Sequence, residues 1–131
     1  MRYWWVNQNQ TYTAETRRNF MWSPKQNANG ARNQFYENMQ EVAPGDVVFS
    51  YCDTRMKAIG VVTAGSQTGP KPDFGSVGAN WSREGWYVAV DYITLQNQIR
   101  PKEHIAILRP FLPARYSPLR EISRGTSKRA T

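Results

Sequence analysis

The chain of 131 residues has a single cysteine, Cys52, and a single histidine, His104. One cysteine excludes an internal disulfide and any cysteine-based zinc site, and it suits a reducing, cytoplasmic setting. No apolar run reaches the roughly eighteen residues of a membrane span, and no charged-then-apolar leader predicts a signal peptide. We therefore expect a cytoplasmic protein that has no metal site and does not enter a membrane.

Motifs of catalysis are missing as well. The sequence contains no glycine-rich phosphate loop and no nucleophile elbow. A lone histidine is most often a structural or surface residue, and the spacing of the aspartates does not indicate a metal-dependent nuclease. We therefore expect a binding domain without catalytic residues and without a cofactor. The aspartates are Asp46, Asp53, Asp73 and Asp91.

Aromatic residues, in contrast, are plentiful. They make up 13% of the chain, with five tryptophans and seven tyrosines, although the mean hydropathy is −0.69. The length predicts one domain with a single core. This combination is typical of a small β-rich domain whose aromatic side chains serve both the core and the surface.

Apolar periodicity predicts strands and helices. Residues 2–7 place Trp4 and Val6 on one face and Tyr3 and Trp5 on the other, which predicts a central strand covered on both sides. Further strands are predicted at 47–52, 57–64 and 86–93, the first two as a hairpin, with helices at 31–42 and 101–108 and a long loop at 65–82.

The predicted helix at 31–42 carries one apolar stripe. Asn27 and Asn29 are candidate caps for its start, and Pro44 and Gly45 end it. Residues 11–20 fit either a loop or a short helix. The stripe consists of Ala31, Phe35, Met39 and Val42.

The net charge of +7 is concentrated near the carboxyl end. Residues 1–99 carry nine Lys or Arg against eight Asp or Glu, whereas residues 100–131 carry eight against two. Such a segment either contacts a polyanion, most often nucleic acid phosphate, or serves as a solubilising tail, and charge alone does not separate the two. We expect an ordered domain over 1–119 and a basic polar tail or linker over 120–131.

Trp22 stands among short polar residues, next to Ser23 and Pro24, and can be a core plug or one wall of a pocket. Trp81 has similarly polar, glycine-rich surroundings. The four amides at 7–10 form a turn or present the paired donors and acceptors that read the edge of a base. We predict that Trp22 and Trp81 are walls of a pocket for a planar ligand such as a nucleobase.

Several segments follow the order of an EVE domain, a member of the PUA superfamily and a relative of YTH and ASCH domains. The resemblance covers about residues 2–119. The chain is most similar to the amino-terminal EVE-like module that precedes HNH nuclease domains in bacterial modification-dependent restriction enzymes. The segments are Tyr-Trp-Trp-Val at 3–6, Trp-Ser-Pro-Lys at 22–25, Asn-Gly-Ala-Arg-Asn-Gln at 29–34, Pro-Gly-Asp-Val-Val-Phe-Ser-Tyr at 44–51 and Ile-Gly-Val-Val at 59–62.

The resemblance implies an α+β fold with a curved, mostly antiparallel β-barrel, a few short flanking helices and a pocket for a flipped, modified base. The Trp-Ser pair of YTH pockets matches Trp22 and Ser23, and their second aromatic wall matches Tyr92. The asparagine that contacts the base edge falls near Asn9, whereas Trp81 has no firm counterpart. Basic residues expected to contact the nucleic acid backbone are Lys25, Arg32, Arg100, Lys102, Arg115 and Arg120.

The implied function is that of a reader of modified double-stranded DNA, with 5-methyl- or 5-hydroxymethyl-cytosine as the base. It would direct a nuclease in bacterial restriction, and the HNH nuclease would be fused beyond Thr131 or separate. Two alternatives remain open. One is an RNA-binding module for modified or structured RNA, as in other PUA relatives. The other is a small ASCH-like nucleotide-processing enzyme, for which His104 and Asp53 are the candidate residues.

Overall fold

A computed structural model describes residues 1–27, 29–79, 81 and 83–111. The predicted tail at 120–131, together with Arg115 and Arg120, lies outside the described residues. The strands are β1 (Tyr3–Asn7), β2 (Phe20–Pro24), β3 (Val47–Cys52), β4 (Arg55–Pro70) and β5 (Glu84–Ile99). The helices are α1 (Tyr12–Arg18), α2 (Gln34–Asn38) and α3 (Ile105–Leu108), with short 3-10 turns at Asn9–Thr11, Met39–Glu41, Pro101–His104 and Arg109–Phe111.

The strands form one five-stranded sheet in the order β1-β3-β4-β5-β2. β1 and β3 run parallel, and the other three neighbouring pairs are antiparallel. The two longest strands, β4 and β5, have 16 residues each and shift register at three places. Because such irregularities bend and twist a strand pair, the sheet curls into half a barrel. The predicted α+β fold with a curved sheet and short helices is confirmed.

β1 is an edge strand, so the prediction of a central strand is wrong. It pairs with β3 on one side only. Tyr3 is 64% exposed, whereas Trp5 on the same face packs against the buried pair Tyr51 and Met56. The apolar residues on both faces therefore reflect local packing of Trp5, and not a position in the middle of the sheet.

The helix predicted at 31–42 is shorter than expected. Asn33 has extended backbone angles, and its Oδ1 accepts from the backbone nitrogens of Phe35 (2.9 Å) and Tyr36 (3.4 Å), so α2 begins at Gln34. The caps predicted at Asn27 and Asn29 are therefore wrong. The apolar stripe is only partly buried, since its last members, Met39 and Val42, lie in the core and its first two do not.

The hairpin prediction is confirmed, and its turn consists of Asp53 and Thr54, which both have positive φ. The loop predicted at 65–82 is partly wrong, because β4 continues to Pro70. Gly65 and Gly69 resemble loop residues in sequence, but β5 supplies a partner strand along this stretch. The connection to β5 is therefore residues 71–83.

The main core is formed by side chains from all five strands and from the segment that follows α2. Trp4, Trp86 and Tyr92 pack against its edge. In the described part of the chain, no helix has the length and apolar character needed to cross a membrane. The buried core residues are Val6, Met21, Met39, Val42, Val48, Val62, Val88 and Val90.

Candidate functional site

A cleft opens where the end of β1 leads into α1, beside β2. Its empty volume is about 390 Å³, counting the solvent to which it opens. One side is a run of amides and the other carries two tryptophans. The lining residues are Asn7, Gln8, Asn9, Gln10, Thr11, Trp22, Pro24, Tyr36, Val77 and Trp81.

Trp22 is the floor of the cleft and is only 3% exposed. Its indole crosses β5 at Gly85, where a Cβ would lie 2.5 Å from the ring. It then reaches β4, where Nε1 donates to the Gly69 carbonyl (3.2 Å). Phe74 packs against it with ring centroids 6.1 Å apart. The ring is therefore fixed by packing and by a hydrogen bond, as a preformed binding surface requires.

Trp81 is the half-exposed wall of the cleft. Its ring centroid lies 6.3 Å from that of Trp22, and the two planes make an angle of 32°. The indole rests on Gly78, where a Cβ would approach to 2.2 Å and where φ is +67°. Lys71 donates to the Gly78 carbonyl (2.8 Å) and lies 5.8 Å from the Trp81 ring centroid. Trp81 therefore carries a cation beside its ring.

Gln8 belongs to the amide side and is 3% exposed. Its Nε2 donates to the Tyr92 hydroxyl (3.0 Å), which donates to the Phe20 carbonyl (3.1 Å). Because a hydroxyl has one hydrogen, this chain of bonds determines which end of the Gln8 amide faces Tyr92. Gln8 Oε1 is then a buried acceptor without a hydrogen-bond partner in the part of the chain described.

The other amides differ in how they are held. Asn7 is 4% exposed, and its Oδ1 accepts from Trp5 Nε1 (2.8 Å). Asn9 is exposed, and its Oδ1 accepts from the backbone nitrogen of Asp53 (3.1 Å). Gln10 is also exposed. The cleft therefore has a fixed inner end at Asn7 and Gln8 and a solvated outer end at Asn9 and Gln10.

Glu15 of α1 lies directly behind the cleft and is 1% exposed. Its Oε2 accepts from the backbone nitrogen of Trp22 (2.9 Å), and its Oε1 contacts Thr11 Oγ1. Thr11 Oγ1 also donates to the Gln8 carbonyl (2.9 Å). Burial raises the pKa of Glu15 to about 8, against the opposing effect of these hydrogen bonds.

The structure brings three of the five predicted pocket residues, Trp22, Trp81 and Asn9, to one cleft. Ser23 does not line it, because alternation along β2 turns its side chain to the opposite face from Trp22, where Oγ is buried. Tyr92 does not line it either. Its ring packs against Gly60 of β4, and its hydroxyl accepts a hydrogen bond from Gln8 Nε2.

The predicted backbone contacts are scattered. Lys25 pairs with Glu84 (3.3 Å), and Arg32 pairs with Glu37 (2.6 Å). Arg100 and Lys102 follow the end of β5 and do not line the cleft, and Arg115 and Arg120 fall outside the described residues. Over the residues described, no group of three or more His, Cys, Asp or Glu side chains could hold a metal ion.

Sequence reasoning missed Glu15, Lys71 and Tyr36 as neighbours of the cleft. The spacing of Thr11 and Glu15, one helical turn apart, was a usable signal for their contact. No feature of the sequence pointed to Lys71, because its approach to Trp81 depends on the fold of residues 71–83. Tyr36 of α2 also lines the cleft.

Fold and site together define a small α+β domain with a curled mixed sheet and a cleft lined by aromatic and amide side chains. No family model matches the chain, and no curated protein is significantly similar to it. An NMR structure of Rpa0253 from Rhodopseudomonas palustris, a structural genomics target, is similar at 14% identity with a TM-score of 0.48, over 82% of this chain and 70% of that one. Neither value is high enough to transfer a function.

Proposed function

We propose that the chain is a nucleic-acid-binding domain that takes a single base, flipped or unpaired, into the cleft. The observation that carries this proposal is the joint placement of Trp22 and Trp81 opposite the amides at 7–10. A planar ring with polar groups on its edge is the ligand that such a site complements: the indoles suit the face and the amides suit the edge.

Trp81 is the stacking surface in this proposal, and Trp22 is the floor. A base between the two rings needs about 7 Å, twice the contact distance of carbon atoms, and the centroids are 6.3 Å apart. Because the planes are also tilted by 32° and Trp22 is only 3% exposed, Trp81 has to move away from Trp22 to admit the base. Stacking on one aromatic contributes roughly 1–3 kcal/mol, and flipping a base out of a duplex costs a few kcal/mol.

Gln8 Oε1 is the group that reads the base edge. A buried acceptor without a partner favours a ligand that donates a hydrogen bond, as the exocyclic amino groups of cytosine and adenine do. Together with the resemblance to EVE domains, this points to a modified cytosine. Burial of its methyl group adds only about 0.8 kcal/mol, roughly a fourfold preference. A stronger preference needs exclusion by shape or a hydrogen bond to the modification.

Two cations adjoin lining residues of the cleft: Lys71, beside Trp81, and Lys25, which follows Pro24 in the chain. In the proposed complex they contact phosphates on either side of the base. By analogy with the restriction enzymes that it resembles, the domain directs a fused or separate HNH nuclease to modified DNA in the bacterial cytoplasm. Neither His104 nor Asp53 lines the cleft, so the geometry favours binding over the catalysis of an ASCH-like enzyme.

The test measures fluorescence anisotropy of labelled oligonucleotides at fixed salt. The set consists of duplexes with one central 5-methylcytosine, 5-hydroxymethylcytosine, cytosine or thymine, and single-stranded RNA. We expect the modified cytosine duplexes to bind most tightly and Trp81→Ala to weaken them about 5- to 100-fold, the equivalent of losing one stacked base. The matched control is Tyr3→Ala, which removes an exposed aromatic far from the cleft.

Equal affinity for all duplexes, unchanged in Trp81→Ala, would contradict the proposal. Tightest binding to single-stranded RNA, again lost in Trp81→Ala, would support the alternative of an RNA module that uses the same cleft.

A further inference from the structure

Glu15 makes contacts on both sides of the cleft, and a hydrogen count determines how. Thr11 Oγ1 lies within hydrogen-bond distance of both Glu15 Oε1 and the Gln8 carbonyl. A hydroxyl has one hydrogen, and a carbonyl only accepts. Both contacts are hydrogen bonds at the same time only if Glu15 carries a proton and donates it to Thr11, which then donates to Gln8.

The other oxygen of Glu15 binds an edge of the sheet that has no neighbouring strand. β2 pairs with β5 on one side only. The Trp22 amide points away from β5, and Glu15 Oε2 accepts its hydrogen (2.9 Å). A buried amide without a partner would cost roughly 1–3 kcal/mol, so this contact holds β2 in place.

We propose that Glu15, as a neutral acid, is the positioning residue of the cleft, connecting the Trp22 floor to the amide side through Thr11 and Gln8. This inference rests on the proposed function, since it assigns Glu15 the task of setting the distance between the surfaces that contact the base. Glu15 does not line the cleft and acts only through the lining residues.

Loss of the proton would break this arrangement. A carboxylate at Oε1 requires the hydrogen of the Thr11 hydroxyl, so the bond from Thr11 Oγ1 to the Gln8 carbonyl is lost and only the bond from the Thr11 backbone nitrogen (2.7 Å) remains. The ionisable group that faces Glu15 from β5 is Tyr92, and burial raises its pKa well above the ordinary value, so it stays neutral. Glu15 has no ion-pair partner among the residues the structure describes, and its pKa of about 8 places this change just above neutral pH.

Glu15→Gln is the informative variant, because its Nε2 can donate to Thr11 and its Oε1 can accept from Trp22 at any pH. We expect wild-type affinity for the 5-methylcytosine duplex to fall about fivefold from pH 8 to pH 9, as loss of one proton from a group with a pKa of about 8 requires. Glu15→Gln keeps the affinity of the wild type near pH 7 and loses this pH dependence. Glu103→Gln, an exposed acid far from the cleft, keeps the wild-type profile.

An NMR titration of the free protein tests the same inference without a ligand. The carboxyl carbon of Glu15 and the amide of Trp22 should titrate together near pH 8 in the wild type, and the Trp22 amide should not titrate in Glu15→Gln. A Trp22 amide that shifts identically in both proteins, or coincident affinity profiles, would overturn the inference. If no oligonucleotide binds at any pH while the NMR result holds, the proposed function fails and the coupling of Glu15 to the cleft stands.

Discussion

Trp22 reaches its position because the residue beneath it on β5 is a glycine. A Cβ at Gly85 would lie 2.1 Å from the Ser23 carbonyl oxygen and 2.5 Å from the Trp22 ring. The first of these neighbours is backbone, which cannot rotate away. Side-chain freedom therefore cannot relieve the contact, and β2 itself has to move.

Gly85→Ala should accordingly lower the free energy of unfolding by about 1–3 kcal/mol, as overpacked cores do, or by more. Urea unfolding followed by tryptophan fluorescence measures this. Gly65→Ala is the control in β4, because its Cβ would meet only the Val42 carbonyl oxygen at 3.9 Å. It should be neutral or stabilising by up to about 1 kcal/mol. Equal effects of the two changes would show that the close approach at Gly85 does not affect the free energy of unfolding.

Residue identity alone predicted part of this site. Trp22, Trp81 and the amides at 7–10 are unusual in their polar surroundings, and that contrast was enough to single them out. Glu15 was not predictable in the same way, since a glutamate in a polar helical segment is usually exposed. Only the return of β2 alongside α1 buries it. For Tyr92 the strand was predictable and the direction of the side chain was not. Its ring lies over Gly60, and only the fold shows this.

Among the elements, β1 is held both by its pairing with β3 and by one carboxylate near its start. Asp46 precedes β3, and its Oδ1 accepts from the Arg2 backbone nitrogen (2.9 Å). Its Oδ2 accepts from Trp4 Nε1 (2.9 Å) and from the Ala43 backbone nitrogen (3.0 Å). The Trp4, Arg2 and Ala43 hydrogen bonds lower the pKa of Asp46 from 3.8 to about 2.

Asp46→Asn should therefore loosen β1, because an amide nitrogen in place of Oδ2 faces two donors. We expect a lower urea midpoint near pH 6 and faster hydrogen exchange of the β1 amides, with β5 less affected. Asp91→Asn, an exposed aspartate on β5, should leave both measurements near wild type. Unchanged exchange in β1 would contradict the role of Asp46 as its anchor.

The strands and helices themselves were largely predictable from periodicity, and their limits were not. Alternation found β3 and β5, but β4 extends through Gly65 and Gly69 because β5 offers hydrogen bonds there. The turn chemistry at Asp53 was visible in the sequence. The edge position of β1 was not, since its apolar residues on both faces are also those of a central strand and Trp5 packs against Tyr51 and Met56.

At the scale of the whole molecule, Asp46 and Glu15 give stability opposite dependences on pH. Asp46 has a lowered pKa, so its contribution is complete above 3.8 and is lost as the pH falls through about 2. Glu15 has a raised pKa, so the folded state binds a proton that the unfolded state releases above 4.5. Stability therefore declines as the pH rises from 4.5 towards 8, and these two groups place its maximum near pH 4.

We expect the free energy of unfolding of the wild type to fall by roughly 1 kcal/mol per pH unit between about pH 5 and pH 8, as release of one proton requires. Glu15→Gln should flatten this limb and be the more stable protein at pH 8, because its neutral amide keeps both hydrogen bonds without an ionisation to suppress. Asp46→Asn should change only the acid limb. Urea unfolding of the three proteins from pH 2 to pH 9 measures all of this. A wild-type stability that rises between pH 5 and pH 8, or a Glu15→Gln curve parallel to it, would mean that Glu15 is not held neutral in the fold.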